Sequence, residues 1–296
     1  MIIAVTGSSG SIGRELIPFL ESLGHNVLKV SSSIVSDGEL NFSFDQLKNK
    51  SISQYVDILI HLASLNANLD EEKINQEIQL TDDVLSGLSS LQCKKLIFFS
   101  TAKVYGDNAF EDVIYSESSS LDPVCSYGKA KLGCEQLIKS KSPSLELDSL
   151  ILRLPPVLNQ STDTNIAKLI NLANRDLIFP TFIEGDTNKR SFISFNNLET
   201  IMSYILNNTD VIERNEIYNV ADEGFISLNE LLGKTRRKKP LLVLPRIVSY
   251  IFFKIPFIRN LLLKLYGNFV LDNSKLKREL GVTLTSTSKA LSIIYK

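Results

Sequence analysis

The chain has 296 residues, 44% of them hydrophobic, and 32 basic against 33 acidic side chains leave a formal net charge of −1. That length and apolar content suffice for one large or two smaller cores and argue against a disordered chain, while the balanced charge argues against nucleic-acid recognition through a global positive field. Cys93, Cys125 and Cys134 are odd in number and lack metal-ligand spacing, which predicts no metal centre and suits a reducing, cytoplasmic compartment.

Ile2–Thr6 reads as a buried strand, too short an apolar run for a secretory signal. It leads into a turn with Gly7, Gly10 and Gly13, and then into a helix whose apolar positions Ile12, Leu16, Phe19, Leu20 and Leu23 recur at three- and four-residue steps, interrupted by Pro18. Glycines permit a tight turn, a close ligand approach and close helix packing. The turn Gly7, Ser9, Gly10, Ser11, Ile12 and Gly13 thus presents backbone N–H groups at a helix N-terminus, where a dinucleotide pyrophosphate is favoured. His25–Val30 reads as the second strand. A carboxylate at its end would bind ribose hydroxyls and favour NAD; Ser31, Ser32 and Ser33 stand there instead. Their small side chains leave room for a 2′-phosphate, with Arg14 as its partner, so the expectation leans to NADP over NAD.

Residues 36–41 read as a short loop and strand, with Asn41 a candidate adenine contact, and 44–51 as a helix. Tyr55–Ser64 (YVDILIHLAS) has the continuous apolar character of a strand buried on both faces, and His61 within it reads as structural. A helix over 72–91 and a strand over Lys95–Ser100 follow. Strand and helix alternate throughout, which predicts an α/β fold with a doubly wound parallel sheet. Ligands of such a sheet sit beyond the carboxyl ends of its strands, which places Ser100 and Thr101 where chemistry should occur. In SYGKAK, Tyr127 and Lys131 are four apart and share a helix face. A tyrosine working near neutrality needs its pKa lowered by about three units, roughly 4 kcal/mol. An ammonium about 6 Å away at an effective dielectric near 20 supplies roughly 2.8 kcal/mol, or about two units.

Ser149–Leu154 reads as a further buried strand, ended by Pro155 and Pro156. From Asn159 onward short elements alternate, consistent with a smaller lobe; the boundaries expected are 1–156 for the dinucleotide-binding domain and 157–296 mainly for the substrate lobe, with segments near 190–208 returning to the first domain. Leu241–Tyr266 is apolar but is interrupted by Arg246, Lys254, Arg259 and Lys264 and broken by Pro245 and Pro256. It predicts two amphipathic helices over the second lobe, with peripheral contact to an anionic membrane surface, aided by Arg236–Lys239, as the other reading.

TGSSGSIG, VDILIHLAS, FFSTAKVYGD, SYGKAK, LRLPPV and KRSFISFNNL together resemble the extended short-chain dehydrogenase/reductase (NAD-dependent epimerase/dehydratase) family along essentially the whole chain, and within it the UDP-sugar 4-epimerases and bacterial UDP-sugar 4-ketoreductases. The resemblance implies a Rossmann domain with a C-terminal substrate lobe and a UDP-sugar substrate. It implies Tyr127 as the acid/base and Lys131 as the residue that holds the nicotinamide ribose and lowers the tyrosine pKa. Thr101 would then bond the sugar oxygen that exchanges the proton. It adds Leu62, Ala63, Ser64, Ser100 and Pro155 as cofactor contacts, and Lys103, Asn171 and Arg190 as substrate contacts, Arg190 on the nucleotide diphosphate. A homodimer built through helices is a further implication. One departure stands out, because the family asparagine of the helix before the catalytic strand is replaced by Glu77, with Asn75 nearby. NADP-dependent reduction and NAD-dependent epimerisation at C4 both remain open, as does a non-catalytic dinucleotide sensor, which would be expected to lose the Tyr–Lys pair.

Overall fold

Seven apolar runs pair into one sheet in a computed structural model that describes residues 1–32, 40–65, 70–106, 113–158, 165–175, 178–235 and 240–294. Ser33, the loop expected over 36–39, Asn159 and the basic run Arg236–Lys239 lie outside the described residues. The strands are β1 (Ile2–Thr6), β2 (Asn26–Ser31), β3 (Asn41–Ser43), β4 (Ile58–His61), β5 (Lys95–Thr101), β6 (Asp148–Leu154) and β7 (Ile217–Asn219), in the order β7-β6-β5-β4-β1-β2-β3. Register is parallel for β1 with β2, β1 with β4, β2 with β3 and β4 with β5. The chain order therefore reverses between β1 and β4, the switch point at which such sheets bind ligands beyond their carboxyl ends. The doubly wound parallel architecture expected from the alternation is present.

Chain contacts divide the protein into two compact units. The first comprises Met1–Gly106, Ser120–Arg153 and Met202–Tyr218. Its helices include α1 (Gly13–Ser22), α2 (Phe44–Lys48), α3 (Ile74–Gly87) and α4 (Ser126–Leu145). One face of its sheet buries Ala4, Leu28, Leu59, Leu96 and Phe98 against Leu47 of α2, Val84 and Leu85 of α3, and Cys134 and Ile138 of α4. Each such leucine, isoleucine, valine or phenylalanine contributes about 1.5–3 kcal/mol of apolar burial, which fixes the strand ends relative to the helices.

The second unit comprises Asp107–Ser119, Leu154–Ile201 and Asn219–Lys296. Helix α5 (Asn165–Arg175) packs Ile170 and Ala173 into a core with Leu158, Phe192, Ile226 and Leu231. Helices α6 (Arg246–Phe253) and α7 (Pro256–Tyr266) are the two expected from the sequence, with Pro245 as the N-cap residue of α6 and Pro256 opening α7, positions where a missing N–H costs nothing.

Several boundaries differ from expectation. Only Ile58–His61 of the run expected over 55–64 pairs in the sheet, because the chain leaves it at Leu62 to pass under the glycine turn. The helix expected over 72–91 is a short 3-10 turn, Glu71–Lys73, followed by α3. Helix α1 runs through Pro18, which lies on its exposed side. Leu241–Leu244, expected as helix, is a strand paired in parallel with Phe179–Phe182.

Candidate active site

The glycine turn joins β1 to α1, and its sterics dictate its composition. Gly7 has φ +73°, and a Cβ there would lie 2.7 Å from the Ala63 nitrogen; a Cβ on Gly13 would lie 2.5 Å from the Gly7 carbonyl oxygen. The turn is tied to β2 by Gly7 N–H to the Val30 carbonyl at 2.9 Å, and closed on itself by Gly10 N–H to the Gly7 carbonyl at 3.0 Å. Ile12, already helical, precedes α1 without a side-chain cap, so the positive end of the helix dipole faces the turn. Ser9 and Gly10 are exposed, and Ser11 and Ile12 half-buried. Beyond β4, Ala63 is buried, Leu62 and Ser64 are half-buried, and the Ser64 hydroxyl oxygen is a buried atom that lacks a partner among the described residues. Glycines that cannot carry a Cβ, an uncapped helix start and an orphaned hydroxyl fit a dinucleotide phosphate and ribose. Ser31 is buried at the end of β2, and Arg14 is exposed on the first turn of α1.

Helix α4 carries the paired side chains. Its N-cap is Cys125, whose sulfur accepts the Gly128 N–H at 3.4 Å. One turn in, Lys131 is buried, and its Nζ lies 5.9 Å from the centre of the Tyr127 ring and 5.0 Å from that of Phe98, and donates to the Ala63 carbonyl at 3.5 Å. The helical spacing thus brings Tyr127 and Lys131 together as expected. Tyr127 itself is half-buried. Thr101 ends β5, buried, with its hydroxyl oxygen accepting the Lys103 N–H at 3.3 Å, and Lys103, exposed, holds its Nζ 5.8 Å from the Tyr127 ring centre.

The electrostatics differ from expectation through Glu77. From α3, its Oε1 lies 3.0 Å from Lys131 Nζ, with both side chains only 1% exposed, while Oε2 accepts the Leu65 N–H at 2.7 Å. Asn75 is exposed. Burial pushes the Tyr127 phenol above its ordinary range, Lys131 pulls it down, and Glu77 pushes it up again, with a net rise instead of the fall expected from the ammonium alone. Burial disfavours the Lys131 cation, but Tyr127 and Glu77 outweigh it and its pKa rises.

Two strand-end residues have buried partners within the first unit. His61 Nδ1 lies 2.6 Å from the Thr6 hydroxyl and Nε2 lies 3.2 Å from that of Thr81. Burial, then the Lys131 cation, lowers its pKa to about 3, so the ring is neutral. Ser100 donates its hydroxyl to Glu135 Oε1 at 2.5 Å. Glu135 in turn accepts Arg153 Nε at 3.0 Å and Nη2 at 2.6 Å, and Arg153 Nη1 donates to the Tyr105 hydroxyl at 2.9 Å. This buried network escaped the sequence reading, although an arginine inside the apolar run SLILRL signals that a carboxylate must meet it.

The remaining candidates belong to the second unit. Pro155 is buried just after β6, Asn171 is exposed on α5, and Arg190 is half-buried, with Nη1 donating to the Gly267 carbonyl at 2.9 Å and its backbone paired with Ile226.

A model of the NAD dependent epimerase/dehydratase family matches residues 3–221. Among curated proteins, the chain is 27% identical over 262 residues to a dTDP-D-glucose 4,6-dehydratase of Dictyostelium discoideum, covering 76% of this chain and 59% of that protein. It is 26% identical over 176 residues to the N-acetyl-alpha-D-glucosaminyl-diphospho-ditrans,octacis-undecaprenol 4-epimerase of Escherichia coli O157:H7, covering 57% of this chain and 50% of the relative. The chain thus spans little more than half the length of these relatives. Among solved structures, a UDP-N-acetylglucosamine 4-epimerase from Bacillus cereus superposes with a TM-score of 0.76 at 18% identity, covering 100% of this chain and 95% of the other; at that identity the likeness concerns the fold.

Proposed function

The chain belongs to the NAD dependent epimerase/dehydratase family, and on that premise we propose that it is an NAD(P)-dependent oxidoreductase of UDP-sugars, acting as a 4-ketoreductase on a UDP-(N-acetyl)hexosamine. The observation that carries this reading is the Tyr127–Lys131 pair on one face of α4, in the same unit as Thr101 at the end of β5 and the glycine turn after β1.

The turn Gly7, Ser9, Gly10, Ser11, Ile12 and Gly13 holds the pyrophosphate, and Leu62, Ala63, Ser64, Ser100 and Pro155 line the rest of the cofactor. When bound, the nicotinamide supplies the hydride. Tyr127 gives its phenolic proton to the C4 oxygen as that oxygen gains charge, so the ketone takes up one hydride and one proton and becomes an alcohol. Thr101 donates a hydrogen bond to the same oxygen, and Lys131 holds the ribose. Lys103, Asn171 and Arg190 are the candidate substrate contacts, the guanidinium of Arg190 suiting diphosphate oxygens. Small Ser31 at the end of β2 and exposed Arg14 on the first turn of α1 support NADP over NAD. The second reading, 4-epimerisation with retained NAD, is supported by the epimerases among the relatives. Peripheral contact with anionic lipid through α6 and self-association as a dimer complete the proposal.

The test is the absorbance of NADPH over time with a UDP-4-keto-6-deoxy-N-acetylhexosamine. Stoichiometric NADPH loss is expected, with kcat reduced about 10²–10⁴-fold in Tyr127→Phe. Equal turnover by that variant would reject Tyr127 as the acid. Interconversion of C4 epimers without NADPH loss would select the second reading.

A further inference from the structure

We propose that Glu77 is a positioning residue that pairs off the charge of Lys131 and thereby raises the pH at which Tyr127 gives up its proton, widening the range over which it is a proton donor, an inference that rests on the reading of Tyr127 as the acid/base. The geometry is local to the first unit. Glu77 projects from α3 onto Lys131 of α4 at 3.0 Å, both buried, and its second oxygen is fixed by the Leu65 N–H at 2.7 Å. An amide at position 77 could accept that same N–H, so the hydrogen bond does not require a carboxylate. What only a carboxylate adds is negative charge, and a buried ion pair is weak evidence for stability in itself. Its consequence is electrostatic, and it falls on Tyr127.

Among the described residues, the groups facing Tyr127 are few. On α4 they are Lys131, Cys134 and Cys125, and on α3 Glu77. Lys103 reaches the ring from the turn after β5, but it is exposed and screened by solvent. Burial pushes the Cys134 thiol up to about 11, so it is neutral at working pH, as is His61 of β4 beside Lys131. Among the described residues, the buried charges next to the phenol are therefore one cation and one anion. With both present, the field that would otherwise favour the phenolate is largely cancelled. A protonated phenol is the form that gives a proton to a carbonyl oxygen, whereas oxidation of an alcohol needs a base. Glu77 thus extends to higher pH the range in which the site holds the proton that reduction needs.

The sign and size of the effect follow from Coulomb's law. Removing the carboxylate leaves the ammonium unopposed, which stabilises the phenolate, so Tyr127 must ionise at lower pH. The two contacts place the carboxylate within about 9 Å of the ring centre, where a unit charge at an effective dielectric near 20 moves a titration by about 1.4 pH units.

The experiment is an NMR titration of the full chain labelled with ¹³Cζ-tyrosine, with and without NADPH, the Tyr127 resonance being assigned by its absence in Tyr127→Phe. Glu77→Gln is expected to lower the Tyr127 midpoint by about 1.4 pH units and to move the alkaline limb of NADPH oxidation equally; an unchanged or raised midpoint overturns the proposal. Because Glu77→Gln leaves a buried lysine unpaired, Glu77→Gln/Lys131→Met provides a neutral pair. There the midpoint is expected to rise from wild type by less than one pH unit, whereas a rise of about two, the effect of an unscreened ammonium near 6 Å, overturns the proposal. Neither titration needs substrate or turnover, so failure of the acid/base reading, seen as undiminished turnover by Tyr127→Phe, is distinguishable from failure of the charge-pairing itself.

Discussion

His61 stands where chemistry could sit, yet it reads as structural in the sequence and serves as structure in the fold. A histidine near the carboxyl end of a central strand invites a catalytic role, yet both ring nitrogens are within reach of buried threonine hydroxyls, and the ring stays neutral with a pKa of about 3. The unfolded chain takes up a proton near pH 6.5 and the folded chain does not until about 3. The stability contributed by a neutral His61 is therefore complete above pH 6.5 and is lost as pH falls toward 3, by at most about 1.4 kcal/mol per pH unit. Urea unfolding between pH 6.5 and 4.5 should show this slope in wild type and lose it in His61→Gln; an equal slope in the variant would refute the assignment. At this scale the glycine turn and the Tyr127–Lys131 spacing were legible, because both are local in sequence. Glu77 was legible as a departure but not as a partner of Lys131, since the two are brought together only by the packing of α3 on α4.

Between elements, the strongest polar link joins α4 to β6. Arg153 is 2% exposed in an otherwise apolar strand, and it meets Glu135 through two hydrogen bonds of 3.0 and 2.6 Å, with Ser100 and Tyr105 completing the network. Arg153→Met would leave the Glu135 carboxylate buried and unpaired, at a cost of about 3–5 kcal/mol. Glu135→Leu/Arg153→Met, which leaves neither charge, should recover most of that loss in guanidinium unfolding; a double variant as unstable as the single would show that packing, not charge, sets the cost. Ser100 is held by this network, while its place at the carboxyl end of β5 is what marked it as a site in the sequence. Alternation of strand and helix was plain in the sequence, but strand ends were not. Val56, Leu62 and Ala63 continue the apolar character of Ile58–His61, so the sequence does not mark where pairing stops, and past His61 the backbone of Ala63 comes up against Gly7. Likewise Leu241–Leu244 pairs with Phe179–Phe182, some sixty residues away, a contact that no local period encodes.

For the molecule as a whole, the anomaly is where apolar surface remains. A net charge of −1 gives no overall attraction to an anionic surface, so any such contact must come from a local patch. On and around α6, Ile247 is 71%, Tyr250 61% and Ile251 59% exposed, and Leu242, Val243, Phe252 and Ile255 are exposed beside them. Residues 240–271 include Arg246, Lys254, Arg259 and Lys264 and no acidic residue, although Arg246 lies 3.7 Å from Glu184. Among the described residues no helix is long and apolar enough to cross a membrane, and the eight residues of α6 span only about 12 Å. The combination suits a helix lying in the headgroup region, where apolar area and cations act together. The chain is expected to float with vesicles rich in phosphatidylglycerol and to do so less as salt rises, since the cationic part is screened within about 10 Å at 0.1 M. Ile247→Asp/Ile251→Asp should abolish flotation while leaving NADPH oxidation intact. A chain that stays at the bottom of the gradient refutes lipid contact. If it then elutes at twice its monomer mass and the same two substitutions return it to a monomer, the apolar face is covered by a second copy of the chain instead.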